Sequence, residues 1–320
     1  MAHRFVLVDV FADRALAGNP LAVFPEAESI PEDRLQPFAR ELDHAAAAFL
    51  FPARIPGALF RLRIFSRERE IGFAGHPALG AHYVWATEHR LPLSEPVTRV
   101  SHEGSEGLVH VDLRVEDGRI GMLRLRQRRP EVGRRLPPEE VVRVAAALGL
   151  AEEAIQAANQ PLKVASTGLP ILVVPVAKLE SLEAASPRYG DLRDIAEPLG
   201  ATIVYAFTKE TRNARASAHA RAFDVVDGRE VPGAGAAACA LSAYLVVQGA
   251  VAVEPVTALA IEQGHAVGRP STLFVEVHVD PAKTGARRES EDGTETRRSA
   301  ITDVFLGGKV MRVGEGSLDV

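Results

Sequence analysis

Two short stretches of this chain place residues that could bind or move charge. Phe73-Ala74-Gly75-His76-Pro77-Ala78 sets a histidine beside a glycine at the entry to a small-residue segment. Pro232-Gly233-Ala234-Gly235-Ala236 repeats the glycine-rich entry in the second half. Glycine lets a ligand approach the backbone closely. A helix starting at such a turn presents unpaired N–H groups and a partial positive charge, which suits a small carboxylate. His76, with an ordinary pKa near about 6.5, can act as base, acid or hydrogen-bond donor, or merely cap its turn.

Other chemistries fit poorly. Gly233 to Ala238 matches Gly-x-Gly-x-x-Ala, but Asp227-Gly228 and Pro232 interrupt the strand a dinucleotide fold runs straight into its glycines. His76 and His82 are six residues apart, off one helix face, so they do not read as a metal pair. Cys239 is the single cysteine, which excludes an internal disulfide, a multi-cysteine metal site and two-cysteine proton transfer. There is no P-loop and no serine elbow. These residues give no sign of a metal pair or a dinucleotide site.

The elements that must position these turns can be read from periodicity. Strands are expected at Phe5–Val10, Leu21–Phe24, Ala47–Phe51 and Leu59–Phe65, with a helix over Pro31–Leu42. A small-residue helix follows His76 to about Thr87. Strands resume near Val97–Ser101, Leu108–Val115 and Arg119–Leu125. The Pro- and Arg-rich stretch Arg126–Pro138 reads as a boundary between domains 1–127 and 128–320. The second half opens with a helix at 139–149, striped by Val141, Val144 and Leu148. Strands are expected at Lys163–Ser166, Pro170–Val176, Thr202–Thr208 and Ala218–Val225. An Ala-rich helix then runs from Gly233 to about Gly249, and strands near Ser271–Val279 and Ala300–Val313 finish the chain. The polar tract 281–299 reads as a solvated hairpin loop. Each half has strands, a glycine-rich turn and a small-residue helix, so two pseudo-symmetric domains should turn these entries toward one cleft.

Composition narrows the partners. The 320 residues carry 37 Lys plus Arg against 42 Asp plus Glu, a net charge of −5, which argues against a nucleic-acid binder. Length supports two domains. Asp9 and Asp13 break the first apolar run, so it is no signal peptide. Gly233–Val253 is the one membrane candidate, and its Ala and Gly content reads instead as a buried central helix. A cytoplasmic protein without a membrane partner is expected.

At Val8-Asp9-Val10-Phe11, Gly18-Asn19-Pro20, Arg63-Ile64-Phe65, Phe73-Ala74-Gly75-His76-Pro77 and Arg221-Ala222-Phe223 the chain resembles the PhzF-like phenazine-biosynthesis proteins, relatives of diaminopimelate epimerase. Glu262-Gln263-Gly264, Gly268-Arg269-Pro270-Ser271 and Gly307-Gly308 continue the likeness, in order, to about residue 314. The resemblance implies an α/β (α+β) fold of two epimerase-like domains, each a barrel-like, mostly antiparallel sheet around a central helix. The resemblance also allows the N-terminal domain, 1–127, to include the terminal strand 300–314. The resemblance also implies a cofactor-independent biosynthetic isomerase, a homodimer, and a site between the halves for a small-molecule substrate.

The family's acid–base positions are altered here. Its usual Glu falls on Ala46, its Asp on Val231 and its Ser on Ala236, while its His survives as His76. Asp43, His44 and Glu230 stand beside the replaced positions as substitutes. Gly75, Gly233, Ala234, Gly235, Ala236 and Asn19 remain as candidate substrate contacts. Proton abstraction beside a carbonyl needs a base within reach, and Ala46, Val231 and Ala236 supply none. The expectation is an isomerase or related proton-transfer or cyclisation enzyme with altered chemistry on an apolar or cyclic metabolite. The alternative is a catalytically inactive relative, a pseudoenzyme that binds a ligand or a partner.

Overall fold

A computed structural model describes residues 2–72, 75–283 and 300–319. The first half comprises β1 (Ala2–Val10), β2 (Asn19–Phe24), α1 (Leu35–Leu42), β3 (Ala46–Phe51), β4 (Arg61–Phe65), β5 (Glu70–Ile71), α2 (Gly75–Glu88), β6 (Val97–Gly104), β7 (Gly107–Glu116) and β8 (Arg119–Arg126). The second comprises β9 (Glu131–Arg135), α3 (Pro138–Leu148), α4 (Glu152–Gln156), β10 (Lys163–Ser166), β11 (Pro170–Pro175), α5 (Leu179–Ala184), α6 (Tyr189–Ala196), β12 (Ile203–Thr208), β13 (Ala218–Asp224), β14 (Arg229–Val231), α7 (Gly235–Gln248), β15 (Val256–Gln263), β16 (Ser271–Val279) and β17 (Ile301–Gly308). A last strand, β18 (Val310–Asp319), ends the described chain.

The pairing pattern occurs twice. In the first half β1–β2 is antiparallel, β2–β3 parallel, β3–β4 antiparallel, β4–β6 parallel, and β6–β7 and β7–β8 antiparallel. In the second, β10–β11, β11–β12, β12–β13, β13–β15, β15–β16 and β16–β17 repeat the same senses in the same order. The short strands β5 and β14 add antiparallel to β4 and β13 at matching places, β18 returns to β1, β9 joins β10, and β8 lies against β17. The last of these binds one half to the other. Even a detail is doubled. Buried Glu103 on β6 accepts the Arg54 and Ile55 N–H groups, and buried Glu262 on β15 accepts those of Arg212 and Asn213.

Each sheet wraps a helix that is apolar all round, the signature of a helix with no solvent face. All but three of the fourteen residues of α7 are buried, Cys239 among them. Its Ala and Gly side chains let the strands close around it. α2 is built alike from Gly, Ala, Leu and Val, with His82 as its buried polar member. Outside the barrels, α3 to α6 cover one face of the second sheet, and α1 lays Leu35, Phe38 and Ala39 on the first. There Phe38 stacks on Phe24 at 5.6 Å and Phe24 on Phe49 at 4.6 Å.

Several expectations need correction. The helix expected from Pro31 begins at Leu35, because Pro31 is extended (φ −57°, ψ 140°) and Glu32–Arg34 forms a 3-10 turn. The Arg126–Pro138 stretch, expected as the boundary between domains, contains β9. The expected strand Ala300–Val313 is two strands, parted at Lys309, that serve different halves. β5, β14, β15 and α4–α6 were missed, being too short for periodicity or, as with Val256–Gln263, hidden by Thr, Ala and Glu. The tract 281–299 lies outside the described residues beyond position 283. Among the described residues no helix is long and apolar enough to cross a membrane.

Candidate active site at the junction of the two central helices

The two glycine-rich entries meet. A Cβ built on Gly75 or on Gly235 would clash with the same atom, Cδ2 of Leu306, at 2.5 Å in the case of Gly235. The N-termini of α2 and α7 therefore approach one another across a single leucine of β17. Both positions need glycine because Leu306 is fully buried and held by both helices. Phe11, just past β1, fills the other side. Its backbone is left-handed (φ 65°), an uncommon conformation for a bulky residue. Its buried ring lies against Gly233, Gly235 and Gly308.

Polar groups border this apolar centre. Asn19 donates from Nδ2 to the Gly233 carbonyl at 2.8 Å, while its Oδ1 is buried with no partner. His76 is half-buried, and its Nε2 is also buried without a partner. Desolvation pulls the His76 pKa down to about 3, so the ring is neutral at neutral pH. Both atoms are available to a hydrogen-bonding group at the junction. Gln263 spans the α7 entry: its Oε1 accepts from Tyr205 at 2.8 Å and the Ala234 N–H at 3.3 Å, and its Nε2 donates to the Val231 carbonyl at 2.6 Å. Ala234 is thus removed from the candidate substrate donors, since its N–H is already taken. The first-turn N–H groups of Gly235 and Ala236 remain, together with those of Gly75 and His76; Pro77 has none.

A clamp holds the halves in this register. Arg269 donates to Asp9 Oδ1 at 2.5 Å and to the Gly18 and Ala17 carbonyls at 2.9 Å each. The other Asp9 oxygen accepts the Leu16 N–H at 2.7 Å. Backbone bonds from Gly18 N to Pro270 O and from Thr272 N to Phe11 O run alongside.

The profile of the PhzC-PhzF family, phenazine biosynthesis-like protein, matches residues 8–291. The chain belongs to this family. It is 28% identical over 292 residues to a trans-2,3-dihydro-3-hydroxyanthranilate isomerase of Pseudomonas aeruginosa, covering 91% of this chain and 96% of that one. A Pseudomonas aeruginosa structure described as a predicted epimerase superposes with a TM-score of 0.77 at 30% identity, over 99% of both chains. A PhzF-family phenazine biosynthesis protein of Bacillus anthracis superposes with a TM-score of 0.82 over the whole of both chains, at 20% identity.

Within this PhzF-family fold the positions singled out from sequence divide into two groups. Gly75, Gly233, Gly235 and Asn19 are brought together by the contacts above. Ala46 begins β3 beside Leu21, buried, and Val231 ends β14 beside Ala222, packed on the main core. Glu230 is engaged elsewhere. Its carboxylate takes a forked pair of bonds from Arg221, the shorter 2.7 Å, both side chains only 8% exposed. Arg221 also donates to carbonyls at the end of α5, so Glu230 faces the outer helical layer while Val231, one residue on, faces inward. As a substitute base Glu230 is corrected: the forked pair with Arg221 occupies its carboxylate and turns it away from the helix junction. Asp43 caps α1 in a left-handed conformation, exposed, and pairs with Arg67 at 3.0 Å and Arg229 at 3.3 Å. His44 is half-buried next to it, its pKa lowered first by desolvation and then by the nearby Arg269 charge.

Phe11, Leu306 and Gln263 were missed as site residues. Gln263 had a signal, standing in the Glu262-Gln263-Gly264 run used only as a family marker. Leu306 had none, since an apolar residue in a strand reads as core. Among the described residues no three His, Cys, Asp or Glu side chains are placed to hold a metal ion. His82, considered with His76, instead pairs with His102, Nε2 to Nδ1 at 2.9 Å.

Proposed function

We propose that this chain is an isomerase, or a related proton-transfer or cyclisation enzyme, acting on a small carboxylate-bearing metabolite at the α2–α7 junction. One observation carries the reading: the unpartnered His76 Nε2 stands at the start of α2, where that helix meets α7. A bound carboxylate would be held by the free first-turn N–H groups. The same anion would raise the His76 pKa from about 3 toward the working pH, the range in which a general base is effective. Without the anion His76 is a weak base, so binding and activation are coupled. Phe11 and Leu306 make the surroundings apolar, which favours an apolar or cyclic body on the substrate and catalysis through orientation. The isomerase names of its relatives support the reaction class.

The test is incubation in D2O with small carboxylates and cyclic amino acids, with mass spectrometry reporting deuterium uptake and mass-neutral products. Uptake with the native chain that disappears in His76→Ala is the expected result. Uptake that persists in the variant refutes the role given to His76.

A second reading rests on the apolar packing of Phe11 and Leu306 between the helices and on the missing Glu, Asp and Ser. In it the junction binds a ligand without turnover. Saturable binding by calorimetry with no deuterium uptake supports that reading over the first.

A further inference from the structure

A cavity of about 1200 Å³ opens beside the first barrel, lined from β6, β7, β8, the segment after β8, and β16–β17. His76 is not among its lining residues. One wall reaches the start of α2, where Gln127 Nε2 lies 3.7 Å from the position of a Cβ on Gly75.

Two independent features describe what the cavity would take. The first is charge. Arg99, Arg124, Arg126, Arg128 and Arg129 line it, against Glu106, Asp112 and Asp303. The acids are all engaged. Asp112 is shared by Arg99 at 2.8 Å and Arg124 at 2.9 Å, Asp303 pairs with Arg126, and Glu106 with Arg128. Arg129 forms no ion pair among the described residues, so the wall carries uncompensated positive charge. The second is Gln127. It is 5% exposed and lines the cavity, yet neither its Oε1 nor its Nε2 has a hydrogen-bond partner. Such a buried amide costs free energy unless something pairs with it. A group that satisfies both atoms must donate and accept side by side, as another amide does. An arginine, a second requirement of the same wall, matches carboxylate oxygens two at a time.

We propose that this cavity is a second small-molecule site, for an anion that carries an amide beside its carboxylates, as an N-acylated acidic amino acid does. The amide pairs with Gln127 and a carboxylate with Arg129. The proposal does not depend on the reaction assigned to His76.

Calorimetric titration with N-acetyl-L-aspartate, succinate and acetamide tests it. N-acetyl-L-aspartate should bind saturably, succinate at least tenfold more weakly, and acetamide not measurably. Gln127→Leu should reduce N-acetyl-L-aspartate to the affinity of succinate and leave succinate unchanged. Arg129→Gln should weaken both diacids about tenfold, and His76→Ala should weaken neither. No saturable binding by the native chain overturns the proposal, as does unchanged affinity in Gln127→Leu, or loss of binding in His76→Ala. A folding control is built in. Gln127→Leu removes an unpartnered amide, so it should melt at or above the native temperature. A marked drop in melting temperature would show that the amide is satisfied in the free protein and would also overturn the proposal.

Discussion

Three desolvated histidines, His82 and His102 buried and His76 half-buried, should make this protein sensitive to mild acid. His76 is held neutral with a pKa of about 3, His102 with a pKa of about 4, and His82 is shifted down as well. Desolvation is the main cause in each, and the His102 ring adds to it for His82. The sign follows directly. An unfolded histidine takes a proton near pH 6.5 while the folded one refuses it, so stability is complete above about 6.5 and falls as pH drops toward the folded pKa. At pH 5.0 His76 and His102 are still mostly neutral in the fold. Each then costs 1.5 pH units at about 1.4 kcal/mol per unit, or about 2 kcal/mol. The two together remove about 4 kcal/mol, a large part of the typical 5–15 kcal/mol of a domain, and His82 adds to the loss in the same sense. His44 and His265, also lowered, act in the same sense. The lowered carboxylates Glu88, Asp112 and Glu315 lose their contribution only at lower pH, and Asp224, raised by burial, acts in the opposite sense. The window from 6.5 to 5 therefore belongs to the histidines. Urea unfolding at pH 7.5 and 5.0 measures the loss, followed by circular dichroism and by the single tryptophan, Trp85, which stacks on His89 at 4.3 Å. His102→Leu should cut the pH-dependent loss by about 2 kcal/mol whatever it does to stability at pH 7.5. Equal stability at the two pH values, or an undiminished loss in the variant, would refute the neutral buried state on which the reasoning stands.

The helix junction gives a thermodynamic cycle: Gly235→Ala should cost about 1–3 kcal/mol by forcing a methyl onto Leu306 Cδ2, 2.5 Å away. Leu306→Ala alone should cost about 2–5 kcal/mol, and the double variant less than the sum by at least about 1 kcal/mol; strict additivity in denaturant melts would mean the two residues do not meet. Arg269→Met strands the Asp9 carboxylate, 3% exposed, and should destabilise by about 3–5 kcal/mol at pH 7; a loss under about 1 kcal/mol would remove the clamp from the account. Phe11→Ala empties the space against Gly233, Gly235 and Gly308 and should cost about 3–5 kcal/mol in the same melts, with an unchanged midpoint counting against its packing role.

Much of the fold was legible because it is written in local patterns. Alternation marked β1, β4 and β7, and the all-apolar, Ala- and Gly-rich composition of α2 and α7 marked helices with no exposed face. The two glycine-rich entries were visible for the same reason, since glycine before a small-residue helix is a local signal. His76 stood out by type and position. What local pattern leaves out is which strand pairs with which. Val256–Gln263 does not alternate clearly, and it became β15 because β13 and β16 offer it hydrogen-bonding edges. The break at Lys309 sends β18 to β1, more than three hundred residues away in sequence, and no local residue announces that partner.

The chemistry of the site divides along the same line. The residue types at Ala46, Val231 and Ala236 settle from sequence alone that these positions carry no acid or base. The environment of each remaining group is tertiary. Glu230 and Val231 are neighbours in the chain, but strand alternation turns one to Arg221 and the other to the core. Desolvation of His76 depends on atoms drawn from distant segments around it, so its neutral state cannot be read from its own neighbours in sequence. The meeting of Gly75, Gly235 and Leu306 likewise joins three segments far apart in the chain. Residue type decides which reactions are chemically available, whereas burial and partner distance decide the protonation state in which each group stands.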